Sequence, residues 1–181
     1  MAFGPTPASG GTITLSPSDM LGMHLVPPKN CEPGCLYDAF SLVDDGSLQL
    51  LYLANVSDSE QGILQTSYST TFSNTASDPS DATVTWLSGF TAATCPSCYL
   101  AVKDGNNFPS YYFYDLGSWN GTDTLILTGF WPGSGAISHV SVWGTSSPPP
   151  SAPIPEPASG VLLGVGLAGV ACYRRLRGSR T

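Results

Sequence analysis

Short runs of apolar and β-branched residues alternate with turn-forming residues from about position 11 to position 144. The runs are rich in Thr, Val, Tyr, Phe and Trp, which favour strands, and Gly, Asn, Asp and Pro separate them. The pattern predicts eight strands, which are Thr12–Leu15, Ser47–Leu53, Ile63–Phe72, Ala82–Leu87, Tyr99–Lys103, Ser110–Asp115, Thr124–Phe130 and Ser138–Trp143.

Repeated short strands at this spacing are typical of an antiparallel β-sandwich or a jelly roll. No segment between residues 11 and 144 shows a long apolar period of 3.6 residues, so we expect a mainly-β domain without a long helix. In the last strand, Val140 and Val142 share one face, which we predict to be core, while His139, Ser141 and Trp143 share the other.

The chain changes character after residue 144. Residues 145–157 contain six prolines in 13 positions and predict an extended Pro-rich linker. Residues 158–173 are uncharged and rich in Leu, Val, Ala and Gly. As a helix they would span about 24 Å, close to the roughly 30 Å of a bilayer's hydrocarbon core. We therefore predict one transmembrane helix, in preference to a buried C-terminal helix of a soluble core.

A basic tail at residues 174–181 follows the predicted helix. Its four arginines are Arg174, Arg175, Arg177 and Arg180. By the positive-inside rule they orient the C-terminus toward the cytoplasm, so residues 11–144 are expected to form an extracytoplasmic domain.

Three features follow one another at this end of the chain: Pro155-Glu156-Pro157, the small-residue helix from Ala158 to Tyr173, and the arginine cluster. In this order they resemble the PEP-CTERM sorting signals that bacterial exosortases process, over about 27 residues. The run Gly129–Gly144 also looks like the end of the β-sandwich domains that often precede this kind of anchor.

The resemblance implies export, temporary anchoring in the inner membrane, and recognition of Pro155, Glu156 and Pro157 by an exosortase. Cleavage there would leave the domain at the cell surface or secreted. The alternative is a permanent single-span anchor. Such a topology requires an export signal, and residues 1–10 have neither a basic nor an apolar region, so we interpret them as an N-terminal remnant without a signal peptide.

Charge adds to this interpretation. Charged residues make up 10% of the chain, the net charge is −7, and only two of the six basic residues precede position 174. A nucleic-acid-binding protein needs a basic surface, so nucleic acid is excluded as a partner. Nothing in the sequence indicates a cofactor.

Four of the five cysteines form two close pairs, Cys31 with Cys35 and Cys95 with Cys98. In an exported chain they are disulfide candidates. The turn-forming residues inside each pair favour two local bridges, although three connectivities are open. A zinc site and a redox role for Cys95 and Cys98 are weaker alternatives, because zinc-ribbon spacing and a following helix are both missing from the pattern.

Evidence for catalysis is sparse. His24 and His139 are the only histidines, and neither lies in a nucleophile or metal motif. We expect His139 to be a half-exposed sheet residue. Asp104 with Asn106 could supply oxygens to Ca²⁺, but no EF-hand pattern is present, so we predict no metal site.

Aromatic residues give one indication of binding. In Ser110–Asp115, alternation places Tyr111 and Phe113 on one face and Tyr112 and Tyr114 on the other, so one pair should face away from the core. A platform for saccharide is therefore predicted from four residues, Tyr112, Tyr114, Trp119 and Trp131.

These observations predict a non-catalytic cell-surface or extracellular-matrix protein whose partners are the membrane, an exosortase and extracellular polysaccharide. A lectin-like carbohydrate-binding module is the first alternative. A secreted hydrolase is the second, and it would need several polar side chains converging in a cleft.

Overall fold

The computed structural model describes residues 10–24, 30–74, 78–105, 107–117, 119–133 and 135–145, within a compact unit that spans Met1–Ser146. In these residues the strands are β1 (Thr12–Leu15), β2 (Gly22–His24), β3 (Leu48–Asn55), β4 (Tyr68–Ser73), β5 (Asp81–Trp86), β6 (Cys98–Asp104), β7 (Tyr111–Asp115), β8 (Thr124–Leu127) and β9 (Ile137–Thr145). One α-helix, α1, spans Gly34–Phe40, and a 3₁₀ turn covers Pro17–Asp19.

The strands form two sheets. One has four strands in the order β1-β8-β5-β4, and the other has five in the order β2-β7-β6-β9-β3. The predicted mainly-β class is confirmed, and the sheets are largely antiparallel as expected. One pair departs from the antiparallel prediction, because β1 and β8 run parallel with Thr12 opposite Thr124. After β1 the chain crosses to the other sheet, where β2 lies, and β8 later pairs with β1 in the same direction.

The main core lies between the two sheets. Alternate residues of β6, β7 and β9 meet those of β5 and β8, and Val140 and Val142 are buried there as predicted. The sheets also meet through aromatic rings, since the Tyr52 and Tyr68 ring centroids are 5.4 Å apart. Burial of these faces in a common core is what holds the two sheets together.

A second, smaller core covers the outer face of the five-stranded sheet. Residues 31–42, which include α1, pack Cys35, Leu36 and Tyr37 against Tyr111 and Phe113. All seven residues of β6 are consequently buried. The expectation that one aromatic pair of β7 faces away from a core is therefore wrong, because each pair has a core of its own.

Helix α1 was not expected from the sequence. It has only seven residues, which is too short to display a 3.6-residue period. It ends at Phe40 and is capped by Ser41, whose φ of 52° is in the left-handed region, and Leu42 N–H donates to Tyr37 O at 2.9 Å. Strand β2, with three residues, was also missed.

An irregularity in β3 decides which residues reach the outer face. The register of β3 against β9 shifts between Leu50 and Tyr52. Leu51 and Tyr52 both join the main core, whereas Leu50 packs on the outer side. Beyond this bulge, Asn55 lies opposite His139.

In the described residues no helix is long and apolar enough to cross a membrane. The predicted linker, transmembrane helix and basic tail, residues 145–181, lie outside the described residues except for Thr145.

The main core predicts the effect of one substitution. Leu125 on β8 is fully buried between the sheets. We expect Leu125→Ala to lower the free energy of unfolding by about 3 kcal/mol, because it removes apolar contacts and leaves a cavity. Leu21→Ala is the matched control, since Leu21 is 68% exposed, and should change it by less than about 0.5 kcal/mol. Urea denaturation measures both values, and equal effects would contradict this core.

Buried phenols predict a loss of stability at alkaline pH. Burial raises the pKa of Tyr52, Tyr111 and Tyr114 above the ordinary value near 10. The unfolded chain therefore loses these protons at a lower pH than the folded chain. The free energy of unfolding should fall as the pH rises above about 10. Denaturant unfolding at several pH values, with tyrosinate absorbance followed in parallel, tests this, and constant stability up to about pH 11.5 would contradict it.

Candidate functional site

A buried carboxylate lies on the outer face of the five-stranded sheet. Glu32 is between Cys31 and Cys35, which form a disulfide with their Cα atoms 5.4 Å apart. The turn is closed further by Cys35 N–H, which donates to Cys31 O at 3.0 Å. The turn directs the Glu32 side chain toward the sheet, and the side chain is only 6% exposed.

Three side chains of β9 are joined to this carboxylate. His139 Nε2 lies 3.1 Å from Glu32 Oε2, and the Ser141 hydroxyl donates to Glu32 Oε1. Trp143 Nε1–H in turn donates to Ser141 Oγ at 3.1 Å. His139, Ser141 and Trp143 are the residues that alternation placed on one face, and Glu32 connects them. We call these four residues the Glu32 group.

Two further polar residues adjoin this group. Lys103 lies opposite His139 on one side and opposite Tyr111 on the other. Its ammonium donates to Asp104 O at 3.0 Å and lies 5.8 Å from the Tyr111 ring centroid. Burial lowers the pKa of Lys103, while the charges of Asp104 and Glu32 act in the opposite direction. Burial, together with the charge of Glu32, raises the pKa of Tyr111.

The order of contacts limits the chemistry of this group. A serine nucleophile needs its hydroxyl on the imidazole, with the acid on the far side of the ring. Here the carboxylate stands between the hydroxyl and the imidazole, and Ser141 is fully buried. These contacts link the 31–42 segment to β9, and their order differs from that of an activated serine.

His139 differs from its sequence-based expectation. It is 5% exposed, not half-exposed, because residues 31–42 cover this part of the sheet. Glu32 was not predicted at all. The signal that could have found it was the polar face of β9, since a histidine, a serine and a tryptophan on one buried face require polar partners.

A small cleft opens beside the Glu32–His139 pair. Its volume is about 230 Å³. Its lining residues come from β3, β9 and the segments next to them, and they are Asn30, Glu32, Leu53, Asn55, Gln61, His139 and Trp143.

A larger cleft, of about 550 Å³, lies among the loops at one end of the sandwich. The buried carboxylate in its wall, Asp104, accepts hydrogen bonds from Asn107 N–H at 2.6 Å and Ala136 N–H at 2.7 Å. Asp104 thus joins two loops. The described residues contain no group of three or more His, Cys, Asp or Glu that could hold a metal, and Asn106 lies outside them.

The four cysteines of the domain form the two local bridges that the sequence favoured. Cys95 and Cys98 are joined with Cα atoms 5.0 Å apart, as are Cys31 and Cys35 in the turn above. Because Cys98 begins strand β6, no helix follows this pair as a thioredoxin-like redox site would require.

The predicted saccharide platform is not formed. Its four rings belong to the main core, where the exposed fractions of Tyr112, Tyr114, Trp119 and Trp131 are 9%, 1%, 3% and 5%. Their polar atoms are used inside the fold. The Tyr114 hydroxyl donates to Ser16 O at 2.8 Å, and Trp131 Nε1–H donates to Pro109 O at 2.9 Å. The prediction of this platform was wrong because the sequence does not show that both faces of β7 are covered by other parts of the fold.

The predicted sorting motif, Pro155-Glu156-Pro157, and the four arginines of the tail lie outside the described residues. The comparison with protein families covers most of them. Residues 153–175 match the family model described as the PEP-CTERM protein-sorting motif. The chain carries a PEP-CTERM sorting motif. The match includes Pro155, Glu156 and Pro157, the predicted helix, and Arg174 and Arg175, so the resemblance inferred from the sequence is confirmed.

The PEP-CTERM motif implies an envelope-targeted, surface-exposed protein that associates with a membrane and is processed by an exosortase-type enzyme. No curated protein and no solved structure matches the chain.

The Glu32 group predicts a strong effect of a nearly isosteric change. We expect Glu32→Gln to lower the free energy of unfolding by about 3 kcal/mol, because it removes the charge that His139 and Ser141 contact inside the fold. Asp44→Asn, at an exposed position, is the control and should change it by less than about 0.5 kcal/mol. Thermal or urea unfolding gives both values. If Glu32→Gln were as mild as the control, the carboxylate would not hold the segment.

Proposed function

We propose that the chain is an exported, non-catalytic component of the bacterial cell surface or extracellular matrix that is delivered by its PEP-CTERM motif. The observation that carries the proposal is the match of residues 153–175 to that motif. The predicted transmembrane helix at residues 158–173 would hold the chain in the inner membrane during sorting. The arginines at 174, 175, 177 and 180 would keep the C-terminus in the cytoplasm.

Two features of the chain support export and processing. Four cysteines are paired in two disulfides, which persist in oxidising compartments outside the cytoplasm. The 13 residues from 145 to 157 would act as a spacer of roughly 35–40 Å at about 3 Å per residue, which leaves Pro155–Pro157 within reach of a membrane-embedded enzyme.

The absence of catalysis is part of the proposal. Glu32, His139 and Ser141 are the polar side chains that a hydrolase would be expected to use, because they converge next to a cleft. Their order of contacts and the burial of Ser141 argue for a structural role.

Processing can be tested in the native host. We expect the mature protein to end near Pro157, because cleavage at the motif would remove the helix and tail. Replacing Pro155, Glu156 and Pro157 together with alanine should leave Thr181 in place and keep the protein in the membrane fraction. Mass spectrometry of the C-terminus and fractionation of the cells measure these outcomes.

The matched control is replacement of Pro148, Pro149 and Pro150 with alanine, which changes three linker residues outside the motif. This variant should be processed like the wild type. An intact Thr181 in the wild-type protein, or normal processing of the motif variant, would contradict exosortase sorting.

A further inference from the structure

The 230 Å³ cleft beside Glu32 and His139 has the composition of a binding site. Its outer part carries carboxamide side chains, with Asn30 and Gln61 exposed and Asn55 half-buried. The Glu32 carboxylate and the His139 imidazole, both more than nine-tenths buried, line its inner part. Leu53 and Trp143 complete the lining with apolar surface.

Backbone hydrogen bonds, strand pairing and a disulfide hold the segments that line the cleft in place. The backbones of Leu53 and Gln61 exchange two hydrogen bonds of 2.9 and 2.8 Å, which fixes Gln61 next to β3. Asn55 stands opposite His139 in the register of β3 and β9. The Cys31–Cys35 bridge fixes the turn that carries Glu32. A site whose groups are already positioned loses less entropy when a ligand binds.

The polar groups of the cleft fit a ligand that both donates and accepts hydrogen bonds. A carboxamide offers donors and an acceptor, and an ionised carboxylate accepts on about four lone pairs. In the part of the chain that the structure describes, His139 contacts one oxygen of Glu32 and Ser141 the other. Each carboxylate oxygen has two lone pairs and can accept a second hydrogen bond. Sugar hydroxyl groups have this double character, and the C–H faces of a sugar ring suit the apolar surface of Leu53 and Trp143.

Size and charge narrow the ligand class. The cleft is smaller than the roughly 300–1,000 Å³ of pockets that enclose drug-sized molecules, so it suits one ring and not an extended chain. Its described lining includes no lysine or arginine, which disfavours anionic sugars.

We propose that the cleft formed by Asn30, Glu32, Asn55, Gln61, His139 and Trp143 binds one neutral sugar ring, as a free monosaccharide or as a terminal residue of a glycan. It is separate from the four aromatic residues first expected to bind saccharide. The inference rests on the proposed function in one respect only, which is that the protein would bind the sugar outside the cell.

Binding is tested with the full-length protein in a zwitterionic, sugar-free detergent. The probes are methyl glycosides of neutral hexoses, pentoses and N-acetylhexosamines, followed by saturation-transfer NMR and calorimetry. We expect at least one of them to bind and to compete with its free sugar. Gln61→Ala and Asn55→Ala should each weaken that binding about fivefold, which corresponds to the loss of one hydrogen bond of about 1 kcal/mol.

The control substitutions are Gln49→Ala and Gln65→Ala, which truncate exposed glutamines outside the cleft and should leave the affinity unchanged. Unfolding curves verify that all four variants remain folded. Failure of every neutral glycoside to bind would overturn the proposal, and so would binding that Gln61→Ala and Asn55→Ala leave intact. Stronger binding of a uronic acid than of its neutral counterpart would also overturn it. Because C-terminal processing is measured separately, failure here leaves the sorting proposal unaffected.

Discussion

Burial of the Glu32 carboxylate is the interaction on which the outer layer of this domain depends. Taking a carboxylate out of water costs several kcal/mol unless charged and hydrogen-bonding groups surround it. Here an imidazole and a hydroxyl contact its two oxygens, and the ammonium of Lys103 is close enough for their charges to interact. These partners belong to β6 and β9, neighbouring strands within the sheet. These contacts fix the segment that carries Glu32 against the sheet, and Glu32 and His139 both line the small cleft.

Runs of strand-favouring residues predicted most of the strands but not what covers them. Each of the eight predicted strands overlaps an observed one, because Thr, Val and aromatic residues favour strands and turn-forming residues separate the runs. Alternation within a run shows which side chains share a face, as it did for Val140 and Val142. It cannot show whether a face meets water or a second layer. That is why the rings of Tyr112 and Tyr114 were expected at the surface and were found in the core.

The candidate site was predictable only in part. Close spacing identified the Cys31–Cys35 bridge, and the strand pattern grouped His139, Ser141 and Trp143. Contact with Glu32 depends on a pairing between positions 32 and 139, and no local pattern encodes it. The bulge in β3 was equally hidden, because Leu50, Leu51 and Tyr52 are three consecutive apolar residues and show no alternation.

The order of the strands has a consequence for how the chain acquires its structure. Strands β1, β2 and β3 pair with β8, β7 and β9, so their neighbours in the sheets become available only when residues beyond position 110 have been made. Folds dominated by such distant pairings form slowly, and their unpaired strand edges can associate with other chains meanwhile. A chain delivered N-terminus first must therefore remain unfolded and shielded from aggregation until nearly the whole domain has emerged.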